Sequence, residues 1–249
     1  MMIRLLFIHL LFIMTLFASQ VRIAAAANLS YVLPELKAEF LRTHPQAQLS
    51  FTIGGSGKLA IQIERGAGYD LFLSANTTYV ERLHKEGKTL QKPRVYAQGA
   101  LVILSRQKRD FSRGIYLLTH PAITKIAIAN PKTAPYGKAS LEALQKSGIY
   151  DKVRSKIVYA ESISQTLLYA LKAADIGVVA KSALYAPALK YLKRGANWVE
   201  LPANLYTPIA QGAALLQHAK GNEDAKAFYA FLFSDAAKNI FKRYGYTLL

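Results

Sequence analysis

A chain of 249 residues is long for one domain, and 52% hydrophobic against 19% charged residues supplies packed cores and excludes a disordered chain. The absence of cysteine excludes a disulfide framework and a lipid-anchored N-terminal cysteine. The net charge of +17 points to anionic partners, yet the lysines are spread between apolar segments with no helix-turn-helix, aromatic RNA-binding or zinc-knuckle pattern. A generally basic, solvated surface is expected, and no nucleic acid.

The N-terminus reads as a targeting segment. Arg4 precedes an apolar run from Leu5 to Phe17, and the small and polar residues Ala18, Ser19 and Gln20 follow. This is the pattern of a cleaved signal peptide, placed at residues 1–20, and the run is short for a bilayer span. Its removal takes one arginine and leaves an exported mature chain of charge +16.

Val21 to Ala26 reads as a strand, and Leu29, Val32, Leu33, Leu36 and Phe40 recur at helical spacing, with Pro34 near the helix start. Leu49 to Ile53 is the next strand, and Leu59 and Ile63 mark a helix ending at Gly66. Leu71 to Ser74 follows, then a helix through Val80 and Leu83 to about Gly87. This βαβαβ rhythm implies a parallel sheet covered on both faces.

From Gly99 the rhythm changes. Leu101 to Leu104, Ile126 to Ala129, Ile157 to Tyr159 and Gly177 to Ala180 read as strands, with helices at Ser140 to Ser147 and about Ser164 to Ala173. Strands at Trp198 to Leu201 and Ile209 to Leu216 follow, and an amphipathic helix around Ala225 to Phe233 closes the chain. The expectation is a second α/β unit inserted into the first. The first lobe takes residues 21–97 and 207–249, the second takes 98–206, and the crossings fall near Tyr96–Ala97 and Leu205–Thr207. Two such lobes leave a ligand cleft at the carboxyl ends of their strands.

Two strand-to-helix junctions in the first lobe carry the chemistry: Ala24-Ala25-Ala26-Ala27-Asn28-Leu29-Ser30 and Gly54-Gly55-Ser56-Gly57-Lys58-Leu59. Each sets small residues and a side-chain donor just ahead of a helix, whose unpaired N–H groups and positive end suit an anion. Ordinary N-capping by Asn28, Ser30 and Ser56 produces the same pattern, and two junctions in one sheet leave both readings standing.

Rival motifs fail. A phosphate-binding Walker loop needs Gly where Thr52 stands and Ser or Thr where Leu59 stands, and a nucleophile elbow needs Gly at Lys58. His44, His84, His120 and His218 show no metal-ligand spacing, so no metal, cofactor or catalytic residue is assigned. Glu64 sits on a helix flank, Asp70 opens a strand and Glu161 ends one; none pairs into an acid–base arrangement.

The junctions, read with Leu59-Ala60-Ile61-Gln62-Ile63-Glu64-Arg65-Gly66-Ala67 and Asp70-Leu71-Phe72-Leu73-Ser74-Ala75, resemble the periplasmic molybdate-binding proteins of ABC importers. The likeness continues through Asn130-Pro131, Pro135-Tyr136-Gly137 and Leu141-Glu142-Ala143-Leu144 to Ala227-Phe228-Tyr229 and Ile240-Phe241-Lys242-Arg243-Tyr244-Gly245-Tyr246-Thr247. It implies a two-lobed α/β periplasmic binding fold of type II, each lobe a mostly parallel sheet flanked by helices. It also implies an oxyanion held by hydroxyls and backbone N–H groups from both lobes, without metal or counter-charge. Ser56 matches the hydroxyl donor, Asn28 stands where many members have Ser, and Tyr136 and Ile163 match backbone donors. Ala180 occupies a position where many members carry a Tyr that reaches the anion, and a Tyr136 hydroxyl in the neighbouring loop is expected to make good its loss.

Molybdate is an unprotonated dianion at neutral pH, so all its oxygens accept and a site without carboxylates favours it over phosphate. The resemblance implies a binding protein and not an enzyme, a monomer that takes molybdate or tungstate and hands it to an ABC permease. The alternatives are a binder of sulfate or another tetrahedral oxyanion, and an exported basic nucleic-acid- or surface-binding protein.

Overall fold

The structure, a computed structural model, describes residues 20–248. The expected signal segment lies outside these residues, save Gln20.

Two five-stranded sheets form the frame. The first contains β1 (Gln20–Ala26), β2 (Gln48–Gly54), β3 (Leu71–Ser74), β4 (Arg94–Gly99) and the last strand, β10 (Ile209–Leu215), in the order β2-β1-β3-β10-β4. The second contains β5 (Leu101–Leu104), β6 (Ile126–Ala129), β7 (Ile157–Ala160), β8 (Ile176–Ala180) and β9 (Trp198–Glu200), in the order β7-β6-β8-β5-β9. Helices α1 (Leu33–Leu41), α2 (Ser56–Glu64) and α3 (Thr77–Lys85) belong to the first half. The short α5 (Tyr150–Val153) lies between α4 (Pro135–Lys146) and α6 (Ile163–Lys172), and α7 (Glu223–Phe231) and α8 (Asp235–Arg243) close the chain.

Each sheet is mixed. β1 runs parallel to β2 and β3, and β6 parallel to β7 and β8, as the alternation of strand and helix requires. β10 is antiparallel to β3 and β4, and β5 to β8 and β9. These are the strands that carry the chain between the lobes, and β5 leaves β4 without the crossover helix that parallel neighbours need.

Gln98 and Gly99 still pair with Ala210 and Ile209, and β5 begins at Leu101. The forward crossing therefore lies at Ala100, past Tyr96–Ala97, because pairing with β10 keeps the chain in the first sheet. The return runs from Glu200 to Ile209. The Leu101 N–H donates to the Tyr206 hydroxyl at 3.1 Å and ties the two crossings together. Gln98 and Thr247 exchange backbone bonds at 2.7 and 2.9 Å, which straps the C-terminal segment to the crossing strand.

Differences from the expected elements have local causes. α4 starts at Pro135, not near Ser140, since proline at the first helical position lacks only an N–H that the helix would leave unpaired. Beyond α7 a second helix follows, α8, where Ser234 Oγ accepts from the Ala237 N–H at 3.3 Å and Asp235 adds negative charge in the first turn. Ala237, Ile240 and Phe241 anchor it in the first core beside Phe40 and Phe228.

The core of the second lobe does not stop at the cleft. Ala26, Ala27 and Ala75 from the first half join the buried cluster that holds Ala134, Tyr136 and Ile163 from the second. Burying such apolar area contributes about 25 cal/mol per Å², so this shared cluster favours the lobes being in contact.

Candidate anion-binding site

A narrow cavity of about 10 Å³ lies where the two lobes meet. Its walls are Ala26–Asn28 after β1, Gly54–Ser56 between β2 and α2, Ala75 after β3, Ala134–Tyr136 at the start of α4, and Ile163 at the start of α6. Asn28, Ser56, Tyr136 and Ile163 thus border one space. Pockets for drug-sized ligands run to roughly 300–1,000 Å³, whereas this one is drawn in to about the room of a single water. None of its lining residues carries a formal charge.

Three helix starts converge on it. α3, α7 and α8 begin with Asn76, Asn222 and Ser234, whose side chains accept first-turn N–H groups. α2 and α4 begin after Gly55 and Ala134 with no side-chain cap. Ser162 caps α6 through the Gln165 N–H, which leaves the Ile163 N–H untouched. Ser56, Tyr136 and Ile163 stand at the first or second position of their helices, with no carbonyl four residues back inside the helix. Among the described residues no other backbone carbonyl accepts from them. The uncommitted N–H groups of Ser56, Tyr136 and Ile163, each at a helix start, give a focus of positive potential without a cation.

The capping alternative fails at both junctions. Ser56 Oγ accepts the Ala75 N–H at 3.0 Å instead of bonding its own helix, so its hydroxyl proton remains to donate. The Asn28 side chain turns inward to Gln211 and Tyr246 and caps nothing. Ser30 Oγ donates to the Ala27 carbonyl at 2.6 Å. Small residues at Ala26, Ala27, Gly54 and Gly55 keep the walls low enough for main-chain donors to reach a ligand.

Tyr136 places its N–H at the start of α4 while its ring runs back into the hinge. A Cβ added at Gly99 would lie 2.0 Å from the Tyr136 hydroxyl oxygen, so that oxygen rests on bare backbone. Burial pushes the Tyr136 phenol well above its usual range, and nearby Tyr246, Tyr96 and Tyr206 add to the shift. Burial raises Tyr246 to about 12 and also pushes Tyr96 well above the usual phenol range. These phenols stay neutral at physiological pH, so the hinge adds no negative charge beside the cavity. The Tyr136 and Tyr96 hydroxyls and Asn28 Oδ1 are buried without a hydrogen-bond partner.

The lobes touch through named contacts. The Gly57 N–H donates to the Thr133 carbonyl at 3.0 Å across the cleft, and Ser182 Oγ donates to the Asn28 carbonyl at 3.1 Å. Lys58 and Glu161 form an exposed ion pair over the rim. A wider depression lined by Thr77, Thr78, Lys138 and Glu142 adjoins the cavity through Ala75 and Pro135.

Ala180 ends β8 opposite Leu101 and is not part of the cavity wall. The titratable residues weighed from sequence have structural partners. Glu64 pairs with Arg82, and buried Asp70 accepts the Arg22 N–H at 2.7 Å and faces His218 Nδ1 at 2.7 Å. His44 stacks on Phe40, and His84 meets Thr89 Oγ1 at 2.7 Å. Among the described residues no cluster of His, Asp and Glu is placed to hold a metal. Sequence reasoning missed Gln211 and Ser182. A lone glutamine in the apolar run Ile209–Leu215 was the available sign of the first.

The sequence profile of the bacterial extracellular solute-binding proteins matches residues 21–247. The molybdate-binding protein ModA of Azotobacter vinelandii is 35% identical over 93% of this chain and 91% of its own length. The ModA of Rhodobacter capsulatus is 34% identical over 92% of this chain and 88% of its own. The solved structure of the A. vinelandii periplasmic molybdate-binding protein superposes with a TM-score of 0.86 at 30% identity, over 92% of this chain and all of that one.

Proposed function

The chain belongs to the family of bacterial extracellular solute-binding proteins, and from that premise we propose that it captures molybdate between its lobes and delivers it to an ABC importer. It works outside the cytoplasm as a carrier that binds its cargo and releases it unchanged. Residues 1–20 act as a cleaved signal peptide, and the mature protein is a periplasmic monomer with lobes at about 21–99 with 207–249 and at 101–206.

The observation that carries this reading is the convergence of the α2, α4 and α6 starts on one narrow interlobe cavity whose wall has no carboxylate. A dianion needs donors on every side, and an acceptor in the wall would oppose it. Ser56 supplies a hydroxyl and an N–H, Tyr136 and Ile163 supply N–H groups, and Asn28 completes the shell from the β1 junction. Fixed dipoles hold the charge without the desolvation cost of a buried counter-ion. Tungstate has nearly the same shape and charge and fits the same shell.

Calorimetric titration of the mature protein with molybdate, tungstate, sulfate and phosphate tests this. Molybdate and tungstate are expected to saturate one site with similar affinity. Sulfate and phosphate should bind at least about a hundredfold more weakly, a gap of about 2.7 kcal/mol. Sulfate binding as tightly as molybdate would overturn the ligand and keep the oxyanion site, whereas no binding of any oxyanion would overturn both.

A further inference from the structure

Gln211 lies on β10, an otherwise apolar strand. It is fully buried and forms no part of the cavity wall. The β4–β10 ladder bulges between Gln211 and Gly212, and a bulge re-aims the side chain beside it.

The orientation of its amide follows from chemistry. A carbonyl can only accept, and Gln211 Nε2 donates to the Ile209 carbonyl at 2.8 Å. Gln211 Oε1 is thereby turned to Asn28, whose Nδ2 donates to it at 2.9 Å. A second chain of bonds starts at the Asn28 carbonyl. Tyr246 donates its hydroxyl there at 3.1 Å, so its oxygen accepts from Asn28 Nδ2 at 2.8 Å. Two fixed acceptors therefore demand the same orientation of Asn28, and both of its amide protons are engaged away from the cavity.

We propose that Gln211, seconded by Tyr246, is a positioning residue of the anion site: it holds the Asn28 side chain inward, so that Asn28 serves the ligand through its main-chain N–H. This rests on the anion-binding reading above. A freely rotating Asn28 would also turn Oδ1 toward the oxyanion, acceptor against acceptor. The lock also steadies the Asn28 carbonyl, which Ser182 of the second lobe grips at 3.1 Å. The β1 junction is thus set for the ligand and for lobe contact by one buried side chain.

Molybdate titrations of the parent, Gln211→Leu, Asn28→Ala and the double variant test the assignment. Gln211→Leu is expected to weaken binding about tenfold. Asn28→Ala, which keeps the N–H and has no Oδ1 to oppose the anion, should lose less, and the double variant should bind no worse than the weaker single, because Gln211 acts through Asn28. Gln211→Glu gives a second readout. A neutral Glu carboxyl can donate to Ile209 and accept from Asn28 as glutamine does, and a charged one cannot donate. Its affinity should approach the parent's on acidification and fall as pH rises, while the parent's stays level. A folded Gln211→Leu with parental affinity, or losses that add in the double variant, would overturn the proposal. Should Gln211→Leu not fold, parental and pH-independent affinity in Gln211→Glu overturns it equally. A parent that binds no oxyanion removes the anion site itself and this inference with it. A parent that binds with Gln211→Leu unchanged removes the inference alone.

Discussion

The Gly57 N–H reaches the Thr133 carbonyl at 3.0 Å across the cleft, one main chain touching another with no side chain between them. A Cβ at position 57 would lie 2.9 Å from that carbonyl oxygen and 2.8 Å from the Tyr79 hydroxyl. The tyrosine can swing aside, but the carbonyl is fixed by the turn ahead of α4. Gly57→Ala is therefore expected to hold the lobes apart and weaken molybdate binding by at least about tenfold, roughly 1.4 kcal/mol. Ligand-free melting should move little, because neither core is altered. Parental affinity in this variant would show that binding does not need this contact.

Ser56→Ala tests the hydroxyl on the cavity wall. A hydrogen bond to a charged group is worth roughly 1.5–3 kcal/mol, so affinity should fall about ten- to a hundredfold. The same change leaves the Ala75 N–H without its acceptor, at a cost of about 1–3 kcal/mol to the ligand-free protein. Calorimetry with molybdate and denaturation without it read the two effects separately. A stability loss with unchanged intrinsic affinity would confine Ser56 to holding Ala75.

Tyr136→Phe separates the residue's hydroxyl from its main-chain N–H. The hydroxyl oxygen sits against Gly99 in the hinge, so the variant should keep its affinity within about threefold, well under 1 kcal/mol. Removing a buried hydroxyl that has no partner should leave stability unchanged or slightly raised. A tenfold loss in titration would instead place the hydroxyl on the anion, making good the side chain that Ala180 lacks.

Much of this fold was readable because its strands are short, apolar and β-branched and its helices end at glycines such as Gly66, Gly87 and Gly148, whose positive φ angles suit helix ends. Three elements were not, among them α5, which is a single turn of four residues. β4 reads Arg-Val-Tyr-Ala-Gln-Gly, mixed in polarity because it lies at a sheet edge, and α8 follows α7 so closely that one amphipathic pattern ran into the other. The site splits in the same way. Asn28 and Ser56 sit in junctions that look special in the sequence, whereas the N–H groups of Tyr136 and Ile163 belong to the backbone and leave no mark in residue type. The partners of Asn28 stand 183 and 218 positions away, beyond any local pattern.

The pH profile follows from the absence of titrating groups on the cavity wall and from the state of the buried phenols. No lining residue is a carboxylate, histidine or amine, so molybdate affinity should stay level from about pH 6 to about pH 9. Stability behaves differently in alkali. Burial raises Tyr96, Tyr136 and Tyr246 above the ordinary phenol value of 10.0, and Tyr246 reaches about 12. In the unfolded chain these groups lose their protons near 10, while in the folded protein they keep them. The unfolded state then binds fewer protons, so stability falls with rising pH. Their contribution is fully present below pH 10 and is lost as pH climbs through the raised folded values. Thermal melting should therefore hold steady up to about pH 9.5 and decline beyond it. Tyr96→Phe, which removes a buried phenol with no partner, should flatten that decline. An alkaline decline as steep in the variant as in the parent would show that Tyr96 ionises as freely folded as unfolded, and that the hinge does not shield it.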